Sequence, residues 1–226
     1  VVKTDAYGHG AVPVARTIDR FVCGYAVATV DEGLKLRRHG IEKEILCLGP
    51  VSAGRYQECL ENDISLPMFE YRRAKELSDA AVAEGKTAKI HIAVDTGMSR
   101  IGLFPDEGSV EIVKEIAELP ALRIAGMFTH FARADEADKT NAGEQYRRFR
   151  EFCDDVKAAG VAVPVCHCSN SAGIVELPDF NMDAVRAGIT IYGMYPSDEV
   201  KQDIISLKPA MALKSFITYI KEIGPG

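Results

Sequence analysis

The sequence has no CxxC pair, no basic stripe, no long apolar run and no GxGxxG fingerprint, and each absence closes a class of function. Its six cysteines, Cys23, Cys47, Cys59, Cys153, Cys166 and Cys168, mostly stand in apolar runs. They read as reduced core thiols of a cytosolic protein. Cys166-His167-Cys168 brings two thiols close to an imidazole, but alternation along a strand puts the histidine on the opposite face from both, which speaks against a metal. With 27 basic and 33 acidic residues the net charge is −6, and both signs are spread along the chain; nucleic acid is not the expected partner. No apolar stretch reaches the ~18 residues of a membrane span, and no targeting segment stands out. The chain starts inside an apolar run and stops at Gly224-Pro225-Gly226, so its native ends are expected to lie outside these 226 residues. With no GxGxxG after any strand, a dinucleotide fold is disfavoured.

Short apolar runs alternate with amphipathic segments. Strands are expected at Val1–Thr4, Phe21–Thr29, Glu44–Leu48, Ser65–Met68, Lys89–Asp95, Leu122–Thr129, Pro164–Ser169 and Ala184–Tyr192. Helices are expected at Ala11–Asp19, Val30–His39, Ala53–Glu61, Tyr71–Glu84, Gly108–Glu118 and Ala142–Ala159, with a short one around Ala172–Val175. Gly40, Gly85 and Gly160 stand where helices should stop. Runs such as Ile45-Leu46-Cys47-Leu48 are apolar on both faces, as in a parallel sheet covered on each side. The repeat predicts an α/β fold of the (β/α)8 TIM-barrel type over residues 1–210, with a doubly wound open sheet as the structural alternative. Residues 211–226 break the rhythm. Ala212–Ile220 alternates like a strand and is expected to open a C-terminal β-domain.

In a barrel the C-terminal strand tips converge on one site. The first tip carries Lys3 and then the turn Ala6-Tyr7-Gly8-His9-Gly10. A lysine on an apolar strand is costly to bury charged and can serve as a nucleophilic amine; equally, it can snorkel to solvent. Arg100, after the Asp95-Thr96-Gly97 turn, can clamp an anion across the mouth or stand solvated in a loop. His130 can stack on a ring or sit satisfied in the core. Ser169-Asn170-Ser171 can cradle a phosphate or simply cap a helix. Arg186 is a charge in an apolar strand and needs a buried partner. Gly188 allows a ligand close to the backbone. Phosphate in barrel enzymes commonly binds after the seventh and eighth strands.

The segments VVKTDAYGHG, VDTGMSRIG, THFARAD, CHCSNSAG and VRAGITIYG, in that order, resemble the motifs of the bacterial alanine racemase family over nearly the whole chain. That resemblance implies an isomerase using pyridoxal 5'-phosphate (PLP), built from a barrel and a β-domain, and supplying D-alanine to cell-wall peptidoglycan. It implies that Lys3 holds PLP as a Schiff base and is one of two proton-transferring bases. Tyr7 would help hold the phosphate, together with Ser171 and the backbone N–H groups of Gly188 and Ile189. Asn170 would lie close by, and Leu48 would line the cofactor pocket. Arg100 would contact the PLP phenolic oxygen and the substrate carboxylate, and His130 would pack on the pyridine ring. Arg186 would bond the ring nitrogen, supported by His167. The second base would be a tyrosine of the partner's β-domain in a head-to-tail homodimer; no tyrosine of this sequence matches it. The fragment alone is therefore expected to bind PLP weakly and to be inactive. The sequence also departs from the family at Ala93, where many members carry a carbamylated lysine that steadies the substrate arginine; an anion or another neighbour would have to orient Arg100.

Serine or broad-spectrum racemases of the same family are the near alternatives. A non-catalytic PLP-binding barrel lacks both the β-domain and AYGHG. A PLP decarboxylase for basic amino acids would place an acid at the ring nitrogen, against Arg186. A sugar-phosphate barrel enzyme would not need Lys3.

Overall fold

The computed structural model describes residues 1–225. Its centre is a parallel sheet of β1 (Gly24–Val27), β2 (Glu44–Cys47), β3 (Ile64–Met68), β4 (Ala88–Ala93), β5 (Leu122–Phe128) and β6 (Cys166–His167). Every strand pairs with the next one in sequence. A doubly wound sheet needs a reversal of strand order; this sheet has none and curls one way. Helices α2 (Ala11–Ile18), α3 (Val30–Arg38), α4 (Tyr56–Glu61), α5 (Tyr71–Ala83), α6 (Glu107–Ala117) and α7 (Thr140–Ala158) connect and cover it. A short α8 (Ser171–Glu176) follows β6. The caps follow from the sequence: Thr29, Asp106 and Asn170 accept the N–H of the residue three positions on, starting α3, α6 and α8. Gly40, Gly85 and Gly160 follow α3, α5 and α7 at positive φ, where other residues would be strained. The strands are apolar on both faces, and all of β3 is buried, as a sheet covered on both sides requires.

The expected closed eight-stranded barrel is not formed; the curled sheet is an incomplete one. The first expected strand, Val1–Thr4, contributes only isolated bonds: Val2 N donates to Ala26 O at 2.9 Å and the Val1 ammonium to Ala187 O at 2.7 Å. After Val2 the chain turns away. The eighth, Ala184–Tyr192, makes a single bridge to β6, His167 to Ala184, and Ile189–Tyr192 winds into a 3-10 turn. Backbone donors of Asp183 and Arg186 still reach Cys166 O and Ser169 O at 3.0 Å each, so this segment lies beside β6 without forming a ladder. The strands expected at Phe21–Thr29 and Pro164–Ser169 shorten to β1 and β6; Asp19–Phe21 has tightened into a 3-10 turn instead.

The strand expected at Ala212–Ile220 is absent. That stretch has no regular structure, and Leu213 and Phe216 are 98% and 89% exposed. A strand needs a partner for its N–H and C=O groups, and among the described residues none pairs with it. Gly226, the last residue of the expected β-domain segment, lies outside the described residues.

Candidate active site

The C-terminal edge of the sheet opens into a cavity of about 560 Å³. Lys3, Tyr7, Leu48, Arg100, His130, Asn170, Ser171, Arg186, Gly188 and Ile189 all line it. The sequence therefore marked ten residues that the fold brings together from points up to 186 positions apart. His167 is not on the wall. It lies buried beneath Arg186.

Lys3 is not at the tip of a regular strand. It begins α1 (Lys3–Tyr7), a single turn in which Thr4, Asp5, Ala6 and Tyr7 all have positive φ, between 51° and 58°. Left-handed backbone costs roughly 1–2 kcal/mol per non-glycine residue, so four in a row persist only where tertiary bonds hold them. Several do. Asp5 Oδ1 accepts from Ala11 N at 2.9 Å and from Lys35 Nζ at 2.8 Å. His9 Nδ1 donates to Ala6 O at 3.1 Å, and its ring stacks on Tyr192 at 4.6 Å. Tyr192 in turn donates to Val1 O at 2.8 Å and packs on Tyr7. The turn places the Lys3 ammonium 4.9 Å from the centre of the Tyr7 ring.

Arg186 is the best-bonded side chain of the site and one of the most buried, at 9% exposure. Nη1 donates to His167 Nδ1 at 2.7 Å and to His167 O at 3.0 Å. Nη2 donates to Thr129 O at 2.6 Å, to Cys168 O at 3.0 Å and to His130 Nδ1 at 3.3 Å. The sequence asked for a buried partner, and a carboxylate would be the ordinary answer; the partners are instead carbonyls and imidazoles. Burial pushes the guanidinium down to about 10, which leaves it charged at neutral pH. Its charge then acts on its neighbours. Burial first, then Arg186, holds His167 well below the usual histidine range. Burial first, with Arg186, Arg100 and Lys3 adding, pushes His130 down to about 3. Both imidazoles are neutral acceptors toward Arg186.

One histidine of this network lies outside every motif of the sequence. His91, on β4, lies with its Nδ1 3.0 Å from His167 Nε2. Because His167 Nδ1 accepts from Arg186, its Nε2 carries the proton and donates to His91. Burial pushes His91 down to about 4. The cavity floor is thus a fixed series, Arg186 to His167 to His91. Strand alternation would have given the facing of His91, but not its partner.

Another part of the wall carries two hydroxyls around a glycine. Ser171 Oγ accepts from Gly188 N at 2.9 Å and from Thr190 Oγ1 at 3.2 Å. A Cβ on Gly188 would come within 2.9 Å of Tyr7 Oη and 3.5 Å of Ser171 Oγ. The glycine therefore keeps open the space between two hydroxyls and the start of α8. Asn170 caps α8, accepting from Gly173 N at 3.1 Å, so its side chain serves the helix. Leu48 N donates to Val27 O at 2.8 Å, which fixes that wall to β1. Arg100 stands exposed at the rim, after a turn in which Asp95 Oδ1 accepts from Gly97 N at 3.0 Å and Ser99 N at 2.9 Å. Ala93, at the end of β4, is buried and brings no polar side-chain atom to this turn.

The comparisons with known proteins agree with this geometry. The family model "Alanine racemase, N-terminal domain" matches residues 1–196. The chain is 46% identical over 227 residues to an alanine racemase of Clostridium novyi (strain NT), covering all of this chain and 59% of that protein. It is 42% identical to an alanine racemase of Methanococcus maripaludis, covering 99% of this chain and 60% of that one. The structure superposes on alanine racemase of Clostridium difficile 630 in complex with cycloserine with a TM-score of 0.95 at 41% identity, over 98% of this chain and 61% of that one. A histidine racemase of Leuconostoc mesenteroides is also similar, with a TM-score of 0.85 at 27% identity, over 92% of this chain and 56% of that one. The chain thus spans about 60% of the length of the curated relatives it matches. Motif order, fold and family model together establish that the chain belongs to the alanine racemase N-terminal domain family.

Proposed function

We propose that the complete protein is a PLP-dependent racemase interconverting L- and D-alanine. The observation that carries this is the convergence on one cavity of an amine (Lys3), a rim cation (Arg100), an anion cradle (Ser171, Gly188, Tyr7) and a buried cation without a carboxylate (Arg186). The residues fit PLP. The space a Cβ on Gly188 would fill suits a phosphate beside two hydroxyls. Lys3 would hold the cofactor through its amine, and Ser171, Tyr7 and the N–H groups of Gly188 and Ile189 would hold its phosphate. Arg186 would face the ring nitrogen, and His130 the ring. When bound, PLP supplies the electron sink that acidifies the substrate's α-proton.

The protein's part follows from its charges. A permanently charged guanidinium at the ring nitrogen disfavours a proton there. Carbanion character then remains at the α-carbon, which favours reprotonation over transfer of the amino group. Neutral His167 holds the guanidinium in place by accepting from it. Arg100 binds the substrate carboxylate and keeps the α-hydrogen aimed at a base. Lys3 takes or returns the proton on one face. Racemisation also needs a base on the other face. We assign that base to a tyrosine of a β-domain contributed by the partner of a head-to-tail homodimer. In this reading residues 1–210 form the PLP domain, 211–226 begin the β-domain, and the exposed Leu213, Phe216 and Ile217 find partners there. The protein would act in the bacterial cytoplasm, supplying D-alanine to peptidoglycan.

A different amino-acid substrate is the second reading. A histidine racemase shares this domain's fold, so the domain by itself is compatible with other side chains, serine included. The test is direct. The complete protein with PLP should show the visible absorbance of lysine-bound pyridoxal and turn over L-alanine faster than L-serine or L-histidine. Lys3→Ala should lose the band. A variant that keeps it overturns the assignment of Lys3.

A further inference from the structure

The left-handed turn that carries Lys3 is tied down by a residue outside every motif named above. Thr29-Val30-Asp31-Glu32 has the T-x-x-E pattern of a helix capping box, in which the glutamate reaches back to the cap residue's own N–H. Thr29 does its share, accepting from Glu32 N at 3.4 Å. The Glu32 carboxylate is directed elsewhere. Oε2 accepts from Ala28 N at 2.7 Å, and Oε1 accepts from Thr4 N at 2.6 Å, 28 residues away. Ala28 is the residue just past β1, and Thr4 follows Lys3 directly. One carboxylate thus joins the end of a sheet strand to the peptide on the C-terminal side of Lys3, where the chain first enters left-handed φ.

We propose that Glu32 is a positioning residue for Lys3, its carboxylate clamping the left-handed turn to the tip of β1 and so aiming the lysine amine into the cavity. The inference rests on the reading of Lys3 as the cofactor lysine. Two features favour Glu32 over the other ties. Asp5 holds the far end of the turn and its side chain is 53% exposed. The Glu32 bonds are short, charge-assisted and made to backbone atoms, and they act at the peptide adjoining Lys3. A left-handed run without that tie would relax toward ordinary φ and swing the Lys3 side chain off its line.

The test uses the full-length protein with Glu32→Gln and Glu32→Ala. Arg55→Ala serves as a control that removes exposed ion pairs to Asp31 and Glu58 near the same helix. Glutamine keeps the size but has one acceptor oxygen, so it can satisfy one of the two N–H groups. Amide hydrogen exchange should speed up by about ten- to a hundredfold at both Thr4 and Ala28 in Glu32→Ala, and at one or other of them in Glu32→Gln, with the amides of β3 and β4 unchanged. The rate at which added pyridoxal 5'-phosphate builds lysine-bound absorbance in the cofactor-free protein should fall by about tenfold. That build-up is condensation of the Lys3 amine with the cofactor aldehyde, with loss of water. Arg55→Ala should move neither quantity. The proposal is overturned if Thr4 and Ala28 exchange both stay at the wild-type value in Glu32→Gln, if the build-up rate stays at the wild-type value in both Glu32 variants, or if the β3 and β4 amides speed up equally. If Lys3→Ala retains the absorbance, the reading of Lys3 fails, whatever Glu32 does. Should Glu32→Ala fail to fold, the glutamine variant decides alone.

Discussion

Replacing Arg186 by alanine tests the centre of the site most severely. The guanidinium satisfies three buried carbonyls, those of Thr129, His167 and Cys168, and donates to two imidazole nitrogens. A buried acceptor left without a donor costs about 1–3 kcal/mol. The cavity alongside can admit water to the vacated space, so the lower figure applies to each. His167 O keeps Thr129 N at 3.3 Å, so the two carbonyls left without a donor, Thr129 O and Cys168 O, give a loss of about 2 kcal/mol. Removing an uncompensated buried charge works the other way and trims that figure. Lysine keeps the charge but carries its donors on one nitrogen instead of a planar fork, and cannot span the carbonyls as the guanidinium does; Arg186→Lys should lose about 1 kcal/mol. Urea unfolding of the complete protein, read as midpoint and slope, gives the ordering wild type, lysine, alanine. Against a total stability of about 5–15 kcal/mol the alanine effect is easily resolved. The imidazole nitrogens supply a second reading: without the Arg186 donor, nothing holds His167 in its Nε2–H tautomer, and its nitrogen NMR shifts should show mixed tautomers. The reasoning is refuted if Arg186→Ala unfolds at the wild-type midpoint, or if lysine is worse tolerated than alanine.

Two further outcomes follow from the same geometry. Gly188→Ala puts a methyl group 2.9 Å from Tyr7 Oη; the tyrosine tip can give way, so the fold should survive, while PLP affinity falls by about ten- to a hundredfold through loss of one charge-assisted bond to the phosphate, measured by absorbance titration. Acid should destabilise the protein before its carboxylates titrate. Buried His91 and His130 are pushed down to about 4 and about 3, whereas the unfolded chain binds their protons near 6.5. The unfolded state therefore takes up more protons in that window, so this stabilisation is full above pH 6.5 and is lost as pH falls toward 4 and then 3. Unfolding midpoints followed from pH 7 to pH 4 should fall, and His91→Gln should flatten the slope; an unchanged slope would show that His91 titrates normally in the folded chain.

Much of the site was legible because a parallel α/β chain writes its functional residues at regular intervals. Tyr7, Arg100, His130, Ser171 and Arg186 each follow or end an apolar run, and periodicity alone says where such runs stop. Arg186 could also be marked as a buried charge in need of partners. The terminal elements were the least legible. Val1–Thr4 and Ala184–Tyr192 have the composition of strands, yet a ladder depends on what lies alongside. In one case the chain turns left-handed after three residues; in the other a guanidinium and a 3-10 turn take over. Ala212–Ile220 has strand alternation and no neighbour, and alternation without a pairing edge makes no strand.

The sequence by itself determined the α/β class, the order of the strand tips and the family, because these depend on local periodicity and on motifs of a few residues each. Tertiary structure alone decided that Lys3 opens a left-handed turn, that Arg186 is held by neutral acceptors, and that Glu32 bonds the turn after Lys3 while His91 bonds His167. Those features rest on bonds between residues distant in the chain, such as Thr4 with Glu32 and His91 with His167, 76 positions apart. No local pattern encodes such a pairing; it exists only once the sheet has curled and brought both partners to the same edge.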